Sequence, residues 1–153
     1  MATVEVAFTP LPAHVRTARL VATAVARRSG VDEALLDEVR LAVGEACSRA
    51  VEAHRRHCPA EPVRIEMTDL GERFVVVVRD SAPGAAGTQP AGASAPSAAA
   101  NGASVPSSAD DDGAIPAGFG LAVISGLADD VRVSSTSSGV SVQMSWPSAV
   151  ATA

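Results

Sequence analysis

Three short stretches hold residues whose type and spacing suit chemistry. In the first, Glu45 and Arg49 stand four residues apart in LDEVRLAVGEACSRAVEAH (36–54), with Ser48 beside them and Glu52 one turn on. If that stretch is helical, a carboxylate, a hydroxyl and a guanidinium leave one patch of its surface. A carboxylate on a rigid helix can take a proton from an incoming hydroxyl. On a solvated face the same Glu–Arg pair is only a stabilising contact of a few tenths of a kcal/mol. The second stretch is Arg79-Asp80-Ser81-Ala82-Pro83-Gly84, a carboxylate and small residues where the apolar run Phe74–Val78 ends. The third is Gly118-Phe119-Gly120-Leu121, small residues at a helix start. Free N–H groups and a partial positive charge there suit a phosphate. Alone, a GxG is a loop-to-helix turn and a strand-end Asp is a turn or cap residue.

These stretches need elements to position them. Leu35, Val39, Ala42, Val43, Ala46, Ala50 and Val51 recur at steps of three and four. The spacing predicts an amphipathic helix running to about His57, N-capped by Asp32 and closed by Pro59. Before it, Thr3–Phe8 alternates as a strand and ends at Pro10 and Pro12. Ala13–Arg28 reads as a helix with Val15, Leu20, Val21, Ala24 and Val25 inside and Arg16, Arg19, Arg27 and Arg28 outside, stopped at Ser29-Gly30. After it, Pro62–Asp69 alternates again, Leu70–Arg73 turns, and Phe74–Val78 suits a central strand. Leu121–Ala128 is a short helix, and Val131–Ser135 and Val140–Trp146 form a hairpin around Ser137-Ser138-Gly139. The order β-α-α-β-β-α-β-β predicts an α+β fold: a two-layer α/β sandwich, with a mostly antiparallel sheet and its helices on one face.

Between the fifth and sixth elements the composition changes. Of the 36 residues in Ser81–Pro116, 28 are Ala, Gly, Ser or Pro, and the only charges are Asp110, Asp111 and Asp112. Such a segment buries too little apolar surface to offset its ordering entropy, so a disordered insertion is expected within a single domain spanning 1–153.

Charge and composition exclude several function classes. A net charge of −5, no basic cluster, no Tyr and one Trp argue against general nucleic-acid binding. All twelve basic residues are arginine, so a phosphate contact has to come from Arg, backbone N–H or a metal. No apolar run approaches the ~20 residues of a membrane span. The first ten residues lack a basic-then-apolar leader, so no membrane association and a cytoplasmic location are expected. Cys47 and Cys58 share a predicted helix about 16 Å apart at 1.5 Å per residue, too far for a disulfide.

With the three stretches in order, the chain resembles the histidine-kinase-like (GHKL) ATPases. Residues 43–50, Asp80–Gly84 and Gly118–Leu121 look like that family's N-box, G1 box and G2 box. Among its members the chain is similar to the small bacterial anti-sigma factors that are also serine kinases, the RsbW/SpoIIAB type, and most of all to actinobacterial ones. GFGLAVISGLADDVRV (118–133) and the closing hairpin near Trp146 carry the resemblance further. It implies a Bergerat-type fold, ATP as cofactor, and two protein partners, a sigma factor and a STAS-domain anti-anti-sigma factor that exchange in a partner switch. It implies Glu45 as general base toward a serine of the antagonist and Asp80 as acceptor for the adenine amino group. Gly84, Gly118, Gly120 and Leu121 would border the nucleotide, and the segment before Gly118 would be its lid. The first helix would bind partners through Arg16 and Arg19, the latter matching a partner-contacting arginine. A homodimer is also implied, and the alternating first strand offers an edge for it.

The chain departs from the family pattern at the metal. The N-box asparagine that holds Mg²⁺ falls at position 49, where this chain has Arg49. A guanidinium has no lone pair to ligate a cation and its fixed charge repels one, whereas phosphoryl transfer relies on that metal. The G1 box has Ala82 in place of its first glycine with Pro83 before Gly84. Ala53 stands where the family often has His, and His54 follows. Three outcomes are open: a decayed site in which Arg49 pairs with Glu45 and leaves a protein-binding scaffold, a metal-independent binder of a nucleotide or other phosphorylated ligand held by Arg49, or a retained serine kinase.

Overall fold

The computed structural model describes residues 2–82 and 117–149, and the side chains among these from 122 onward in the second part. Residues 83–116 lie outside the described residues, and with them Gly84 and all of the insertion expected over 81–116 except Ser81 and Ala82, which are held by hydrogen bonds to His54 and Asp80. The elements in chain order are β1 (Ala2–Phe8), α1 (Pro12–Arg28), α2 (Glu33–His57), β2 (Val63–Asp69), β3 (Arg73–Arg79), α3 (Ala117–Leu127), β4 (Asp130–Thr136) and β5 (Gly139–Pro147). Several of their ends follow local chemistry. Pro12 opens α1, where its missing N–H costs nothing. The Asp32 carboxylate accepts from the Ala34 N–H at 2.8 Å and caps α2 as expected. The β2–β3 turn is fixed by the Asp69 carboxylate accepting from the Gly71 N–H at 2.8 Å.

The five strands form one sheet in the order β1-β2-β3-β5-β4, and every pairing is antiparallel. Alternation divides each strand between two faces. Val63, Ile65 and Met67 of β2, Phe74, Val76 and Val78 of β3, and Val142, Met144 and Trp146 of β5 are buried together against the helices. Arg64, Glu66, Arg73, Arg79 and Gln143 take the other face. Helix α2 lies on the middle strands, with α1 packed on one of its flanks and α3 on the other. The fold is therefore the α+β two-layer sandwich expected, with its helices on one face. Trp146, beside Phe74, donates its indole N–H to the Leu127 carbonyl at 3.1 Å and ties the end of α3 to β5.

Two local expectations need correction. Helix α1 does not bury Leu20 and Ala24: its inward line is Val15, Ala18, Ala22 and Ala26, while Leu20 and Ala24 face solvent. Small residues at steps of three and four let α1 approach α2 closely, and that approach fixes which face turns in. Helix α3 begins at Ala117, four residues before the predicted start. Packing on α2 carries the helix through Gly118 and Gly120 despite their low propensity.

Candidate functional site

Helix α2 carries both candidate side chains of the first stretch, and the strand exit brings Asp80 to them. Arg49 Nη1 donates to Asp80 Oδ2 at 3.1 Å, with the two side chains 15% and 1% exposed. Arg49 therefore does not pair with Glu45, its neighbour at four residues on the same helix. The reason is dielectric: Asp80 is buried at the end of a central strand, and a cation gains more from a carboxylate in that setting than from a half-exposed one beside it. Asp80 is otherwise fully engaged. Its Oδ1 accepts from the Ala82 N–H at 3.1 Å and the Val140 N–H at 3.2 Å, and its own N–H donates to the Val140 carbonyl at 2.9 Å. The start of β5 sits so close that a Cβ on Gly139, at φ +148°, would run into the Asp80 carbonyl oxygen. Glycine is needed there for the space as much as for the angle.

Behind Asp80 stands a residue whose role the sequence reading did not assign. His54 is fully buried, its Nε2 accepts from the Ser81 N–H at 2.8 Å, and its Nδ1 donates to the Glu61 carbonyl at 2.8 Å. Those partners fix the neutral Nδ1–H tautomer. His54 thus clamps the chain as it leaves β3, just as Asp80 does from the other side through Ala82. The signal was present: His54 continues the stripe of Ala50 and Val51, so it had to point into the core.

Glu45 is half-buried on α2 and takes no ion-pair partner among the described residues. Burial pushes its carboxyl above the ordinary value, and the charge of Arg19 from α1 pulls it back. Arg19 was expected on the outside of α1. It is instead half-buried, with its Nε against Gly44, and that Nε is the one buried side-chain polar atom without a hydrogen-bond partner among the described residues. Arg16 is exposed on α1 as expected, and Ser48 and Glu52 are exposed on α2, Glu52 paired with Arg56. The backbone of Gly118, Gly120 and Leu121 forms the first turns of α3, which packs on α2. Cys47 is buried with its thiol pushed up to about 12, chiefly by burial, and is chemically inert at neutral pH.

The residues present fit a bound adenine nucleotide poorly in this arrangement. An adenine amino group seeking Asp80 meets a carboxylate that already accepts three hydrogen bonds, one of them from a cation. A divalent ion seeking position 49 meets that same guanidinium, which offers no donor pair.

Residues 8–146 match the model of the histidine kinase-like ATPase domain. The fold is similar to the solved structure of the RsbU and RsbW domains of Rv1364c from Mycobacterium tuberculosis, with a TM-score of 0.61 at 15% identity. That match covers 99% of this chain and 35% of the other, so the chain spans about a third of the length of that protein. At such identity the likeness is one of fold. No curated protein matches the chain by sequence. Among the described residues, no helix is long and apolar enough to cross a membrane.

Proposed function

The chain belongs to the histidine kinase-like ATPase domain family, and from that premise we propose that it works by binding proteins rather than by transferring phosphate. In this reading it is an anti-sigma factor-like regulator of an actinobacterial partner switch. It holds a sigma factor and is released by a STAS-domain anti-anti-sigma factor, with kinase activity on that antagonist impaired or absent. The observation that carries the reading is the ion pair of Arg49 with Asp80. It occupies, from inside, both the residue that resembles the family's metal-holding position and the one that resembles its adenine acceptor. The fold shared with an RsbW domain supports the protein-binding half of the reading. So does the surface of the helix layer, where Leu20 and Leu41 are exposed at 58% and 52% beside Arg16.

The deciding experiment is calorimetric titration of the purified chain with ATP and ADP, with and without Mg²⁺, followed by radiolabelled ATP in the presence of STAS proteins from the same genome. The expected result is weak or no binding and no transfer, together with a stable complex with a sigma factor in gel filtration. Arg49→Asn opens the pocket and raises nucleotide affinity. Mg²⁺-dependent transfer by the unaltered chain would establish the serine kinase instead, and tight metal-free binding would establish a nucleotide or phospho-ligand sensor. Absence of any complex with the candidate sigma factors and STAS proteins rejects the regulator.

A further inference from the structure

Gly44 interrupts the middle of a helix of 25 residues, where glycine is the least favourable residue short of proline. Something must need the missing side chain. The three atoms nearest to where its Cβ would stand are Nε, Cζ and Nη2 of one residue, Arg19. No backbone of α1 is among them. Gly44 is therefore a seat for a guanidinium, not a point of close helix–helix contact. The occupant is itself uncomfortable, because Arg19 Nε is buried in the seat with no hydrogen-bond partner. Two departures from local preference coincide at this one contact. Such coincidences mark function more often than folding.

What the seat achieves is visible one residue on. Glu45 follows Gly44, and a guanidinium lying across Gly44 brings its charge to Glu45 and, on the buried flank, to Cys47. Among the described residues, Arg19 is the cation whose charge reaches Glu45. Arg49 on the same helix is held by Asp80, α3 carries no ionisable residue, and Glu52 is paired with Arg56. We infer that Arg19 is a positioning residue for Glu45: seated on Gly44, it brings a fixed cation from α1 to the half-buried carboxylate that follows on α2. Because Arg19 belongs to α1, whatever engages it from outside must also alter Glu45. That consequence rests on the proposed reading of α1 as a docking surface, whereas the charge coupling itself does not.

The test uses the full chain alone, without nucleotide or partner, so its failure and that of the proposed function are separable. Glu45 is titrated by carboxyl-carbon NMR in the natural chain and in Arg19→Met, Arg19→Lys and Gly44→Ala. Loss of a nearby opposite charge raises a carboxyl midpoint. The expected result is that rise in Arg19→Met and a smaller one in Arg19→Lys, which keeps the charge but not the fork. Gly44→Ala keeps both charges yet evicts Arg19, so it should match Arg19→Met while its thermal midpoint holds or rises. A Glu45 midpoint that stays put in Arg19→Met overturns the inference. So does a Gly44→Ala chain that melts earlier, since the glycine would then be serving backbone packing. An unmoved midpoint in a well-folded Gly44→Ala would show that Arg19 acts without the seat, and the inference would likewise fall.

Discussion

The ion pair between Arg49 and Asp80 yields the most exacting prediction. Replacing Arg49 by Leu keeps the apolar stem and removes the charge. Two unit charges 3.1 Å apart attract by about 5 kcal/mol at an effective dielectric constant near 20. Desolvation takes back a share of that, and breaking a fully buried pair by removing one partner costs about 3–5 kcal/mol. Here Asp80 keeps the Ala82 and Val140 N–H groups, and Arg49 retains some contact with water. The expected loss is therefore about 2–3 kcal/mol, read from urea denaturation at neutral pH with the slope unchanged. Asp80→Asn alone should cost a similar amount, because it turns an NH₂ toward Arg49. Combining the two should cost distinctly less than their sum, with a coupling of about 1.5 kcal/mol or more. If the two losses add to within about 0.5 kcal/mol, the residues do not act as a pair. The reading of a pocket closed from inside would then be refuted.

Other perturbations test the surrounding framework. Gly139→Ala drives a Cβ into the Asp80 carbonyl and should cost about 2–4 kcal/mol in the same denaturation assay. His54→Leu matches the volume but strands the Ser81 N–H and the Glu61 carbonyl. It should cost about 2–4 kcal/mol and speed amide exchange at Ser81. Burial raises the Cys47 thiol to about 12, so the folded state holds that proton more tightly than the unfolded chain does. Its contribution is complete below pH 9 and is lost as pH rises from about 9 toward about 12, at up to about 1.4 kcal/mol per unit. Cys47→Ala should remove that alkaline slope, and in the natural chain a thiol reagent should label half-exposed Cys58 long before Cys47. Gly44→Ala should leave stability unchanged or raise it by up to about 1 kcal/mol, the propensity difference for a helix interior.

Much of the fold was legible because its elements obey simple periods. The stripe on α2 and the alternation in β2, β3 and β5 each bury the residues that their spacing marks, and Asp32 caps where its position says it should. The face of α1 was harder. Its Leu20 is exposed while Ala18, Ala22 and Ala26 are buried, because close approach to α2 rewards small side chains over apolar volume. Hydrophobicity alone places Val15, Val21 and Val25 of α1 rightly but misplaces Leu20. The start of α3 was misjudged for a related reason, since docking on α2 outweighs what two glycines prefer locally.

At the candidate site the structure pairs Arg49 differently from what helical spacing suggests. A separation of four on one helix makes Glu45 and Arg49 neighbours, but neighbours on a helix surface compete with groups that tertiary structure delivers. Arg49 takes Asp80, 31 residues away, because that carboxylate is buried. Glu45 feels Arg19, a residue of α1, because Gly44 leaves room for a side chain to cross α2. Helical spacing predicts contacts worth a few tenths of a kcal/mol, whereas a buried partner from another element is worth several times more. Only where the topology brings no such partner does the local pair survive, and Glu52 with Arg56, four apart on the exposed end of the same helix, is that case. At the position that resembles the family's metal-holding one, Arg49 does more than withhold a ligand from an ion. Its charge holds Asp80 inside the fold, so on the proposed reading Arg49→Asn should raise nucleotide affinity while lowering the stability of the chain.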